Sequence, residues 1–183
     1  MNIIIRNSAG KIFFRPDTTC DRPGEDLYPQ EFIQSLSFAP VAFVRVCKAG
    51  RSVSERFASR YYDAAGFGLF LYPDDLLDGS AESIAEASCI DHTSFLPAPT
   101  ANPGDFSLLM DGKQIFSSSS LPCLELEKAI AAASARMHIR TGDIIALELC
   151  RPEHLCSRPC RHSIEAFMSS ERIIDFNIVM NIL

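Results

Sequence analysis

Apolar positions along this chain fall into short runs that alternate between strand and helix periods, and their order predicts the elements. Residues 2–5 and 11–14 are strand-like runs parted by Ser8, Ala9 and Gly10, predicting a hairpin or two edge strands. The next segment carries Pro16, Pro23 and Pro29, which no long helix tolerates, and predicts a surface loop. A nearly continuous apolar run over 41–47, broken by Arg45, predicts a strand covered on both faces. Gly50 ends it. Ser52 and Glu55 have capping-box spacing, predicting a helix that buries Val53, Phe57 and Tyr61 while Glu55, Arg56, Ser59 and Arg60 meet water. Residues 63–66 stop that helix, and 67–72 return as a strand. Pro73, Asp74 and Asp75 then predict a short helix whose first-turn acids suit the helix dipole, a structural role for both carboxylates.

The span 77–105 is rich in Ser, Ala, Pro and Asp, with Pro97, Pro99 and Pro103, and predicts an irregular or lid-like excursion. Residues 106–110 and 113–116 flank Asp111 and Gly112, which supply the positive φ angles of a tight hairpin turn. A helix follows from Leu121 and Pro122 to about Met137, with Leu126, Ile130, Ala133 and Met137 as its core stripe. Thr141, Gly142 and Asp143 turn the chain into a strand over 144–149, and two more strands cover 163–168 and 172–180. These elements predict an α+β fold, a β-rich roll of mixed, curved sheets with two principal helices. The 183 residues can bury about 70% of the unfolded surface, so one domain is expected over 1–183.

Composition narrows the function. With 47% apolar and 22% charged residues, neither disorder nor a fibrous design is indicated. A net charge of −6 without a Lys or Arg run lacks the footprint of a nucleic-acid binder. No apolar run reaches the roughly 18 residues of a membrane span, and the first residues lack the pattern of an export signal. A cytoplasmic protein with no membrane partner is therefore expected, and its seven cysteines should be reduced.

Four stretches, residues 13–19 (FFRPDTT), 50–68 (GRSVSERFASRYYDAAGFG), 106–115 (FSLLMDGKQI) and 130–145 (IAAASARMHIRTGDII), occur in the order and spacing of one family. Through them the chain resembles the catalytic domain of the fumarylacetoacetate hydrolase family, in a shortened and degenerate form. The resemblance implies a fumarylacetoacetase-like roll that uses Mg²⁺ or Mn²⁺ on 2-oxo or 1,3-dicarbonyl acids, since a hard cation with oxygen ligands stabilises a chelated enolate. The family's Glu-x-Glu pair falls on Ala39 and Val41, and its Asp falls on Phe70. None of these can bind a metal, and the nearest acids are Glu31 and Asp74. The family's base-bearing segment after the first strand is missing, its Lys falls on Ser88 ahead of Ile90 and Asp91, and its Thr-Gly-Thr loop reads Ala146, Leu147, Glu148, Leu149. Losing a whole buried charged cluster to apolar packing can be neutral or stabilising.

Three other constellations stand beside the resemblance. Cys150, His154, Cys156 and Cys160, with His162 nearby, carry the ligand types of tetrahedral zinc without its paired C-x-x-C spacing, so scattered reduced thiols are the favoured reading. Ser88, Asp91 and His92 lack a nucleophile-elbow pattern and are read as a polar loop. Arg15 and Asp91 are candidate substrate-binding residues, Arg15 because it precedes a proline where the family often has Lys; a surface arginine is the alternative.

The expectation is a non-catalytic homologue without cofactor, acting as a binding or subunit-partner protein, in a homodimer or a heteromer with a family relative. The alternative is a Mg²⁺- or Mn²⁺-dependent hydrolase, decarboxylase or isomerase drawing ligands from Asp74, Asp75, Asp91 or Glu148. A decaying gene without selected function is a third possibility. The geometric discriminator is whether Ala39, Val41 and Phe70 meet at one place.

Overall fold

The computed structural model describes residues 1–22 and 24–181; Pro23 of the proline-rich loop lies outside them, as do residues 182–183. In chain order the strands are β1 (Ile3–Arg6), β2 (Ile12–Arg15), β3 (Ser35–Val46), β4 (Tyr62–Pro73), β5 (Ser94–Phe95), β6 (Phe106–Met110), β7 (Lys113–Ser118), β8 (Ile144–Glu148), β9 (Glu153–Ser157), β10 (Cys160–Met168) and β11 (Glu171–Met180). The α-helices are α1 (Glu55–Ala58), α2 (Ala81–Ala87) and α3 (Cys123–Arg136).

Two twelve-residue strands, β3 and β4, form the antiparallel spine of a seven-stranded mixed sheet ordered β2-β1-β8-β3-β4-β5, with β9 pairing the start of β3. A four-stranded sheet, β11-β10-β6-β7, lies against it. Because strand side chains alternate, the spine sorts its apolar residues onto two faces. Ala42, Val44, Leu69 and Leu71 join Phe106, Leu108, Ile164 and Ile178 of the second sheet, and Leu126, Ile130 and Ala133 of α3, in the larger core. Ala39, Val41, Phe43, Phe70 and Tyr72 point the other way, with Ile3, Ile5, Ile144 and Ala146. A strand buried on both faces is what the run at 41–47 predicted.

The opening residues form a hairpin, β1 with β2, and β1 also pairs in parallel with β8. The turn between β6 and β7 has φ of 51° at Asp111 and 73° at Gly112, as the Asp-Gly signal required. Leu126, Ile130 and Ala133 of the α3 stripe are buried as expected, whereas Met137 is the C-cap residue and half-buried. The span 77–105 does hold structure: α2, capped by the Ser80 hydroxyl accepting from the Ser83 N–H, and the short β5.

The predicted helix after Gly50 is largely absent. Ser52 sits at φ 53°, and its N–H donates to the Ser134 carbonyl while the Val53 N–H donates to Ser134 Oγ, so α3 takes the Ser52 N–H that the Glu55 carboxylate would have accepted in a capping box. Only one turn, α1, forms, followed by a 3₁₀ turn over Ser59–Tyr61, and the N-cap is Ser54. Phe57, expected in the core, is 42% exposed, with the guanidinium groups of Arg56 and Arg60 near its ring. The strand β9 was not foreseen.

Gly68 shows how tightly the excursion is pressed to the spine. A Cβ there would stand 2.5 Å from the Phe95 carbonyl oxygen and 3.0 Å from Leu96. Gly68→Ala is expected to push β5 off β4 and cost about 2 kcal/mol, read as a lower urea midpoint with faster amide exchange near Phe95.

Candidate functional site

Ala39 and Phe70 are directly paired across β3 and β4, and Val41 lies two residues along on the same face. All three are fully buried. The positions assigned to metal carboxylates therefore converge, and what they form is a dry apolar floor. Leu76 and Leu77, Ala87 of α2, Phe13 of β2 and Leu96 close over it.

Arg15 completes the centre. At the end of the edge strand β2 a long cation could reach solvent, yet this residue is 1% exposed. It is not a surface arginine, although it contributes to the lining of a hollow with Phe13, Asp17 and Cys89. Its Nη1 donates to the Thr93 carbonyl (3.0 Å), Thr93 Oγ1 (2.9 Å) and Ser94 Oγ (3.0 Å), and Nη2 donates to the Leu71 carbonyl at 2.6 Å. The guanidinium carbon lies 4.5 Å from the Phe70 ring centroid and 4.3 Å from that of Tyr72. Thr19 Oγ1 and Ser94 Oγ share a hydrogen bond behind it. Tyr72, Thr93, Ser94 and Thr19 were missed in the sequence; the alternation of Phe70 and Tyr72 was the available signal for the first.

The Tyr72 hydroxyl donates to Glu148 Oε1 at 2.6 Å. Burial pushes the Tyr72 phenol well above its ordinary value, so it stays protonated and keeps donating. Burial also raises Glu148, while the Tyr72 hydroxyl, the field of Arg15 and the Ser8 backbone pull it down. A carboxyl raised in the folded state holds a proton the unfolded chain has released, so its contribution is most favourable below about pH 4.5 and declines as pH climbs through the folded value. Glu148→Gln keeps an acceptor for Tyr72 and is expected to flatten this part of the stability profile, measured by unfolding across pH.

The other candidate acids serve the backbone or stand elsewhere. Asp75 accepts from the N–H groups of Gln34 and Ser35, and Asp74 from the Ser37 hydroxyl and the His154 ring. The structural reading of both holds. Asp91 is exposed and lines a separate cleft of about 230 Å³ with Asp21 and His92, so it does not meet Arg15 in one pocket. Ser88 is buried and donates to the Ile84 carbonyl, ending α2.

The Cys and His segment is divided by β9. Leu36 pairs with Cys156 but Ser37 pairs with His154, so a bulge sends these two side chains to opposite faces. Cys156 enters the core and its thiol is raised by burial, whereas His154 turns outward to Asp74. Cys150 and Cys160 are half-buried, and the described cysteines are free thiols. Among the described residues no group of three or more His, Cys, Asp or Glu is placed to hold a metal ion.

No family model matches the chain, and no curated protein matches it. Solved structures do: the fold is that of fumarylacetoacetate-hydrolase-type hydrolases and isomerases. The chain is similar to the fumarylpyruvate hydrolase of Pseudomonas aeruginosa, solved with Mn²⁺ and pyruvate, at 12% identity and a TM-score of 0.79 over 98% of this chain and 90% of that one. It is similar to the 5-carboxymethyl-2-hydroxymuconate delta-isomerase of Mycobacterium smegmatis at 14% identity and a TM-score of 0.75, covering 99% and 77%. A Yersinia pestis protein assigned to the fumarylacetoacetate hydrolase family matches at 17% identity and a TM-score of 0.74, covering 99% and 92%. A divalent metal of the kind bound by the first of these does not fit this centre, whose Ala39, Val41 and Phe70 offer no donor and whose Phe70 ring is covered by the Arg15 guanidinium. Among the described residues no helix is long and apolar enough to cross a membrane.

Proposed function

We propose that this chain is a non-catalytic member of the fumarylacetoacetate hydrolase family, retained as a binding or subunit-partner protein that pairs with itself or with an intact relative. The observation that carries this reading is the convergence of Ala39, Val41 and Phe70 on one dry floor beneath a buried arginine. Chelation of a 2-oxo acid needs a cation held by oxygens, and here hydrocarbon fills the place of those oxygens. Asp74, Asp75 and Asp91, acids an active centre could recruit, serve other partners or another cleft, and Glu148, beside Val41, is engaged by the Tyr72 hydroxyl.

Titration calorimetry of the purified chain with MgCl₂ and MnCl₂ is expected to give no saturable heat, and assays with oxaloacetate and an acylpyruvate no turnover. Stoichiometric binding of either metal, or turnover of either acid, would overturn the non-catalytic reading. For the partner role, size-exclusion chromatography is expected to return a dimer, alone or with an intact relative. A monomer that binds no such relative counts against it.

A further inference from the structure

We infer that the Arg15 guanidinium is the resident cation of this centre, standing where the fold's relatives can hold a divalent metal. The inference rests on the reading that Ala39, Val41 and Phe70 mark that place. It goes further by assigning the positive charge there to the chain itself.

An arginine cannot shed its charge within any pH a protein survives, so burying one demands donors and faces that replace its water. Arg15 has them. Two carbonyls and two hydroxyls take its terminal N–H groups, and the rings of Phe70 and Tyr72 present their negative faces to the guanidinium plane. The rings come from the same strand and the same face as the missing carboxylate. Where a hard dication would be held by anionic oxygens, a broad, weakly hydrated monocation is held by neutral oxygens and π-faces, which suits guanidinium better than ammonium. The acid nearest in the network, Glu148, is reached through the Tyr72 hydroxyl.

The arrangement is incomplete at one atom. Arg15 Nε is buried without a hydrogen-bond partner among the described residues. A side chain recruited only as a prop would have little reason to leave that donor stranded; one drawn to the centre by its charge accepts the loss. A dication approaching the floor would meet this fixed positive charge, so the loss of the carboxylates and the burial of Arg15 form one coherent change.

The test reads Arg15 directly. In ¹⁵N-labelled protein one arginine Nε–H signal is expected upfield of the others from the ring currents of Phe70 and Tyr72, protected from exchange with water, and unbroadened by MnCl₂. It should vanish in Arg15→Lys. Phe70→Leu, a milder change, should move it back toward the exposed arginines, which keeps the assignment secure if Arg15→Lys fails to fold. If every arginine Nε–H exchanges at surface rates and no signal is shifted, Arg15 is not in the centre, and this inference falls while the non-catalytic proposal stands. If MnCl₂ broadens the shifted signal, a metal enters beside Arg15 and both fall.

Discussion

Arg15→Met is expected to lower stability by about 3 kcal/mol, seen as a reduced urea midpoint with an unchanged slope. Two effects oppose each other. Methionine removes a desolvated charge, and replacing buried ions by hydrocarbon of similar shape is often harmless. Against this, hydrogen bonds to a charged donor contribute about 1.5–3 kcal/mol each, and Arg15 makes four, to Leu71, Thr93 and Ser94. Its stacking on Phe70 and Tyr72 adds a further term. The lost bonds prevail because their acceptors stay buried. Arg15→Lys should recover less than half, since an ammonium lacks the planar fork that serves both rings and all four oxygens. An unchanged midpoint in Arg15→Met would mean that the guanidinium contributes no net stability.

Val41→Asp should be still more damaging, by about 4 kcal/mol or more near neutral pH. It returns a carboxylate to a family position in a volume close to that of valine. Val41 is fully buried and pairs directly with Glu148 across β3 and β8, so the new acid meets both a dry environment and a like charge. Both effects raise the folded pKa of the acid above its unfolded value. The damage should therefore be small below pH 4 or so and grow as pH rises from there. Glu148→Gln in the same chain should restore part of the loss. MnCl₂ should restore none, because Glu148 is already engaged by the Tyr72 hydroxyl and the Arg15 guanidinium lies over the neighbouring rings, which leaves a poor cation site. Rescue by Mn²⁺ would show a metal site only one ligand short.

Much of this architecture was legible because it depends on neighbours close in sequence. The apolar strand runs at 41–47 and 67–72, the Asp111 and Gly112 turn and the Leu126, Ile130 and Ala133 stripe of α3 each follow from local geometry, and each is present. The meeting of Ala39 with Phe70 was legible through the family resemblance. The misreadings arose where a distant segment claimed a local group. Ser134 took the Ser52 N–H that Glu55 was expected to cap, and a bulge in β9 separated Cys156 from His154.

The sequence alone determined that no carboxylate stands at residues 39, 41 and 70, and that the strand run at 41–47 is covered on both faces. Both follow from residue identity and strand period. Only the tertiary structure decided what replaces the missing charge. Arg15 reaches acceptors 56 to 79 residues away in the chain, and Tyr72 reaches Glu148 across 76 residues. No local pattern marks an arginine for burial, because its desolvation is offset only by carbonyls, hydroxyls and ring faces that come together when the sheet closes.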